Sequence, residues 1–252
     1  MGEKVLMKGN EAIGEAAIRS GCRHFFGYPI TPQTELSAYM AKKMPKINGV
    51  FLQAESEVSA INMVYGAAAA GMRTMTSSSS PGISLKAEGI SYLAAGDLPC
   101  VIVNIVRGGP GLGGIQPAQS DYFQAVKGGG HGDYHLIVLA PNSVQELAHL
   151  TAEAFNISDE YRIPTMILGD GTLGQMMEPV DLDAIPEPIY ADKPWAARGT
   201  DNKRNKNVVE TLYLEASELE KKVLEREKKY NVVKDNLQRY EAHDIDDADI
   251  II

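Results

Sequence analysis

Cysteine is scarce in this chain, with only Cys22 and Cys100 among 252 residues. Each stands alone in an apolar stretch, so neither a zinc site, a redox dithiol nor an iron–sulfur cluster can be built from them. Both are expected to be reduced core residues. Long apolar runs are missing as well, since nothing approaches the roughly 18 residues that a membrane span needs. The opening MGEKVLMKGNEA has no signal-peptide core. We therefore expect no membrane association and a cytoplasmic location. Basic residues are the minority, with 24 Lys and Arg against 33 Asp and Glu and a formal net charge of −9. That balance argues against a nucleic-acid surface, which needs clustered cations to neutralise phosphates.

What is present is an α/β alternation. From the start to about residue 170, short apolar runs alternate with helical patterns at the spacing of βα units. A helix is expected from an N-cap at Asn10 to Gly21, and a strand at CRHFFGY. Thr31 and Pro32 read as the N-cap and first residue of the next helix. VFLQA is a strand, 56 to 70 a helix, and RTMTS and CVIVNIV are strands flanking a helix from about Gly82 to Ala95. HLIVLA precedes a helix opened by Asn142, and PTMILGD is the last strand. The predicted architecture is a parallel sheet of five or six strands with helices on both faces, which binds ligands beyond the C-terminal strand ends.

The composition changes after Asp170. Pro, Asp and Lys gather between residues 179 and 206 in an expected linker. A charged helix follows, opened by a capping box of Ser217 and Glu220, with Leu219, Val223, Tyr230, Val233, Leu237 and Tyr240 on one face. The division is then 1–178 for the α/β domain, 179–245 for linker and helix, and 246–252 for DADIII as the start of a second α/β domain.

Four segments at predicted strand ends carry candidate chemistry. In FGYPITPQTE, Thr31 by itself reads as a helix cap. In QAESEVSAINMVYGAAAAG two carboxylates stand where a strand gives way to a helix, a place that the helix dipole alone would favour. The serines of TSSSSPG could cradle an anion or form only a tight turn. VRGGPGLGGIQPAQSDYFQAVKGGGHGD has no phosphate-loop pattern, and its glycines suit a backbone passing close to a ligand or partner. Arg107 is a lone guanidinium suited to a carboxylate.

Taken together, YPITP at Tyr28 to Pro32, Ser56-Glu57 opening an Ala- and Gly-rich helix with Gly66 and Gly71, and the RGGP-type loop at Arg107 resemble the 2-oxoacid:ferredoxin oxidoreductases. The likeness is to their alpha-type, pyrimidine-binding subunit and covers residues 1 to about 175, with KPWAARGT similar to the interdomain connection. Within the family the 2-oxoisovalerate enzymes are nearest and the 2-oxoglutarate enzymes next. The resemblance implies the thiamine diphosphate-binding fold and the oxidative decarboxylation of a branched-chain 2-oxoacid with coenzyme A, reducing ferredoxin. The alternatives are 2-oxoglutarate or pyruvate as substrate, or a noncatalytic subunit-assembly module.

It further implies that Glu57 contacts N1′ of the aminopyrimidine, with Glu55 as rival. Thr31 and Arg107 would receive the oxoacid, and Pro29, Ile30, Ser79 and Ser80 would line the cofactor. Gln116, Gln119, Asp121 and His131 would contact substrate or partner subunit, His131 equally being an ordinary loop histidine. No metal is expected on this chain. Mg2+ and the diphosphate would be held by a beta subunit, because Gly169-Asp170-Gly171 reads as a turn and PWAARG stands where the pattern's asparagine would fall. A gamma subunit and an iron–sulfur delta subunit would complete a hetero-oligomer in which this chain alone has no turnover.

Overall fold

The computed structural model describes residues 4–239 with Ala242, His243 and Ile245. It divides into two compact units, residues 1–211 and 212–252. In the first, strand β1 (Lys4–Lys8) leads into α1 (Gly9–Arg19), followed by β2 (His24–Gly27), α2 (Thr34–Lys43), β3 (Val50–Gln53) and α3 (Glu57–Ala69). Next come β4 (Thr74–Ser78), α4 (Pro81–Ala95), β5 (Val101–Val106), α5 (Tyr122–Val126) and β6 (Ile137–Leu139). The series ends with α6 (Val144–Tyr161), β7 (Thr165–Asp170), α7 (Gly171–Gln175) and β8 (Met177–Asp181).

Six strands form one sheet in the order β3-β2-β4-β5-β7-β6, and every pairing is parallel. All residues of β4 and β5 are buried, as expected of strands covered on both faces. One core joins α1, α2 and α6 to the sheet through residues such as Ile13, Leu36, Met40, Leu147 and Phe155. The other joins α3 and α4 through Ile61, Val64, Ile90 and Leu93. Phe25, with no exposed surface, stacks on Phe51 at 5.6 Å; burying such a ring contributes about 1.5–3 kcal/mol. Cys22 and Cys100 are free and buried, and burial pushes the Cys22 thiol up to about 12.

Several local expectations are corrected. The first helix begins at Gly9 with Lys8 as N-cap, and Asn10 lies inside it. Its buried amide instead donates to the Pro32 carbonyl across 2.9 Å. Thr31 and Pro32 do not open α2: their peptide is cis, and the helix starts at Thr34 after Gln33. Ser143, not Asn142, caps α6, its hydroxyl accepting from the Glu146 N–H. Gly169-Asp170-Gly171 is a strand end running into a helix, where the Asp170 carboxylate caps α7 by accepting from the Leu173 N–H at 2.8 Å.

An antiparallel pair of β1 and β8 lies outside the main sheet, so a strand crosses the expected boundary at residue 178. The expected linker packs with the first unit. Lys193 reaches Asp159 at 2.6 Å, Arg73 reaches the same carboxylate at 2.8 Å, and the Arg162 guanidinium lies over the Trp195 ring at 4.4 Å. Asp159, Arg73 and Lys193 are all buried. Buried charges persist where they are paired in this way.

In the second unit, α8 (Ala216–Leu237) carries exposed ion pairs such as Lys222 to Glu225 at 2.9 Å. Its N-cap is Glu215 without a side-chain bond, so Ser217 and Glu220 sit within the helix and form no capping box. Leu219 and Val223 of the expected stripe are exposed. Tyr240 and the DADIII strand lie outside the described residues.

Candidate active site

The C-terminal ends of β2, β3, β4 and β5 bring the strongest candidates to one side of the sheet. Ser56, in extended conformation, caps α3 by accepting the Ser59 N–H, and so sets Glu57 at the first helical position. Glu57 is only 6% exposed. Among the described residues no hydrogen-bond donor reaches its carboxylate. Glu55 is exposed and accepts from the Ser59 hydroxyl at 3.2 Å. Burial thus distinguishes the two, Glu57 being shielded from water and Glu55 not.

Gly82 lies against this carboxylate. A Cβ there would meet Ser78 Oγ at 2.1 Å and Glu57 Oε1 at 2.8 Å, so glycine is what lets α4 start beside α3. Lys86, one turn further along α4, has no exposed surface and donates from Nζ to the Glu57 carbonyl at 3.3 Å.

The serine turn leads from this carboxylate to the YPITP segment. Ser80 has φ of 27°, a conformation that a non-glycine residue keeps only when its surroundings enforce it. The enforcing contacts are visible: its N–H donates to Asn104 Oδ1 at 3.0 Å, its hydroxyl donates to the Arg107 carbonyl at 3.2 Å, and the Arg107 N–H donates to that hydroxyl at 3.0 Å. Asn104 also donates to Asp121 at 3.0 Å. Ser79 is buried, and its hydroxyl, like that of Ser78, has no partner among the described residues.

Arg107 is 6% exposed and more committed than a free clamp would be. It donates from Nη1 to the Thr31 carbonyl at 3.0 Å and from Nη2 to the Leu112 carbonyl at 2.8 Å, while its buried Nε has no partner among the described residues. Thr31 itself is exposed, as is Pro29, and Ile30 is half-buried. Gln33, with no exposed surface, ties the turn to β4: it donates to the Tyr28 carbonyl at 3.1 Å and accepts from Ser77 at 2.7 Å.

The structure thus links Thr31, Arg107, Ser80 and Asp121 through bonds, and sets Glu57 against the start of the same turn. Gln116 and His131 are exposed on the loop, His131 edge-on to Tyr92 with centroids 6.2 Å apart. Gln119 donates to Asp170 at 3.2 Å and belongs to a separate cavity of about 620 Å³ at the ends of β5, β6 and β7, which also takes in Tyr122 and Asn142. Neither Glu57 nor Arg107 lines that cavity.

Two residues escaped the reading of the sequence. Asn104 had a usable signal, being the single polar residue within VIVNIV, a strand too apolar to face water. Gln33 had none, because its amide is defined only by the groups that the fold brings to it.

Among the described residues no three His, Cys, Asp or Glu side chains gather to hold a metal ion, and no helix is long and apolar enough to cross a membrane. Residues 15–251 match the family model for "Pyruvate flavodoxin/ferredoxin oxidoreductase, thiamine diP-bdg". The chain is 50% identical over 247 residues to ketoisovalerate oxidoreductase subunit VorB of Methanothermobacter marburgensis, covering 98% of this chain and 70% of that protein. It is 46% identical over 196 residues to 2-oxoglutarate synthase subunit KorA of Methanothermobacter thermautotrophicus, covering 77% of this chain but only 50% of that one. Its fold is similar to a solved 2-oxoglutarate:ferredoxin oxidoreductase from Magnetococcus marinus with 2-oxoglutarate, coenzyme A and succinyl-CoA bound. The TM-score there is 0.83 at 30% identity, over 94% of this chain and 46% of that one, so the chain spans about half of the solved polypeptide. The chain belongs to the thiamine diphosphate-binding family of the pyruvate flavodoxin/ferredoxin oxidoreductases.

Proposed function

We propose that this chain is the pyrimidine-binding subunit of a thiamine diphosphate-dependent 2-oxoacid:ferredoxin oxidoreductase that converts a branched-chain 2-oxoacid and coenzyme A to an acyl-CoA and carbon dioxide, reducing ferredoxin. The observation that carries the reading is the buried Glu57 carboxylate, fixed at a helix start with no protein donor on it. The site suits the aminopyrimidine half of the cofactor. Beside Glu57 lie the buried hydroxyls of Ser78 and Ser79, which have no partner among the described residues, and Gly82, whose missing side chain leaves the room that the Glu57 carboxylate occupies.

When bound, thiamine diphosphate supplies the nucleophile and electron sink for decarboxylation. Glu57 would hydrogen-bond N1′ of the aminopyrimidine through its carboxylate, and its seat at the capped start of α3 would orient it there. The exposed Thr31 hydroxyl orients the oxoacid. Arg107 holds the Thr31 turn by its carbonyl and offers its remaining terminal N–H groups to the substrate carboxylate. Pro29, Ile30 and Ser80 shape the walls. Mg2+ and diphosphate are assigned to a beta subunit, and the electrons pass to clusters on a delta subunit of an assembly that also holds a gamma subunit.

Reconstitution of the complex with Glu57→Gln tests the reading. Decarboxylation of 3-methyl-2-oxobutanoate should fall by roughly 10²-fold or more. Retention within a few-fold would leave the chain as an assembly module. Substrate choice is checked by comparing kcat/KM for 3-methyl-2-oxobutanoate, 2-oxoglutarate and pyruvate, the first being expected to lead.

A further inference from the structure

Lys86 is a cation that the functional reading above leaves unused. Its whole side chain is buried, an arrangement that lysine almost never adopts without a partner. Its ammonium donates to the carbonyl of Glu57, the first residue of α3, at 3.3 Å. Among the described residues Glu57 is the charged group that acts on it. Glu88 and Tyr92, on the same helix, face outward and bond to each other at 2.8 Å. The ammonium is therefore sealed beneath the turn that carries the buried carboxylate, between the starts of α3 and α4.

We propose that Lys86 is the positioning residue of this site: its ammonium pins the first turn of α3 and so fixes where the Glu57 carboxylate stands. The inference rests on the assignment of Glu57 and adds what holds that residue in its place. A charged donor sealed from water holds its acceptor more firmly than a neutral one. Burial draws the Lys86 ammonium down to about 8, against the pull of Glu57 upward. The cation is thus present at neutral pH and lost in mildly alkaline solution.

The pH dependence of kcat/KM in the reconstituted complex tests this with Lys86→Met and Lys86→Arg. In the wild type a decline is expected above about pH 8, as the ammonium loses its proton. Lys86→Met should lack that limb and lose roughly tenfold or more in kcat at neutral pH, as the first turn of α3 loses its anchor. Lys86→Arg should extend activity to higher pH, because a guanidinium stays charged. A Lys86→Met profile matching wild type, or an unmoved alkaline limb in Lys86→Arg, would overturn the proposal.

Should Lys86→Met fail to fold, Glu57→Gln/Lys86→Met removes both charges and should melt above Lys86→Met. A double variant that also fails to fold would show the lysine to be a packing element only. Loss of activity in Glu57→Gln alongside unchanged Lys86 profiles sinks this inference alone; retained activity in Glu57→Gln sinks the functional reading itself.

Discussion

Ser80 and Arg107 bind each other twice through one hydroxyl, which accepts the Arg107 N–H at 3.0 Å and donates to the Arg107 carbonyl at 3.2 Å. This latch couples the end of β4 to the end of β5 and lets the guanidinium reach the Thr31 carbonyl. Ser80→Ala should destabilise by about 1–3 kcal/mol, since a buried N–H and carbonyl lose their partner. Ser80→Gly should lose less, because glycine relieves the 27° φ that alanine would retain. Chemical denaturation of the three proteins checks the order, which would be wrong if alanine proved the milder change.

Gly82→Ala is expected to damage activity far more than stability. Its methyl group would lie 2.8 Å from Glu57 Oε1 and 2.1 Å from Ser78 Oγ, so the carboxylate must move. A displacement of about 1 Å at a reacting group loses on the order of 10²-fold in rate. Steady-state turnover beside a melting curve separates the effects.

Asn104→Leu tests the polar bridge between the serine turn and the glycine-rich loop. The change strands the Ser80 N–H and the Asp121 carboxylate, both held at 3.0 Å, and should destabilise by roughly 2–4 kcal/mol. Limited proteolysis should find loop 108–134 cut faster than in wild type.

Asp159→Asn removes the shared acid of Arg73 and Lys193, leaving buried cations without a counter-charge. A loss of about 3–5 kcal/mol is expected. Released segment 185–198 should become protease-sensitive before the sheet unfolds, which mass mapping of the first cuts would reveal.

Acid stability should depend on Tyr39. Burial works against charge on Glu15, but hydrogen bonds from Tyr39, at 2.6 Å, and Arg19 more than offset it and hold the carboxyl below its ordinary range. A folded pKa below the unfolded one gives stability that is present above the unfolded value and drains away as pH falls through the folded one. Tm should therefore drop below about pH 4.3, and Tyr39→Phe should flatten that drop. Parallel acid limbs in the two proteins would contradict this.

The parallel sheet was legible because its strands are runs such as VIVNIV and TMILGD, whose burial on both faces leaves no alternative period. The start of α3 was legible because Ser56 and the small residues after it mark a helix opening, whereas the role given to Glu57 came from the family resemblance. What stayed hidden has one cause, that side chains choose partners distant in sequence. Asn10 looks like a cap until Pro32, 22 residues on, takes its amide. Segment 179–206 looks like a linker because its anchors, Asp159 and Arg162, lie on the preceding helix and loop. β1 and β8 carry no mutual signal, being 177 residues apart at the Lys4 to Asp181 pairing.

The clasp of β1 on β8 makes the amino end a guardian of the chain's exit from the sandwich. Lys4 stands opposite Asp181, beside the point where the backbone turns toward the Pro-rich segment. Clipping the first eight residues would unzip that exit while leaving the six parallel strands their own ladders.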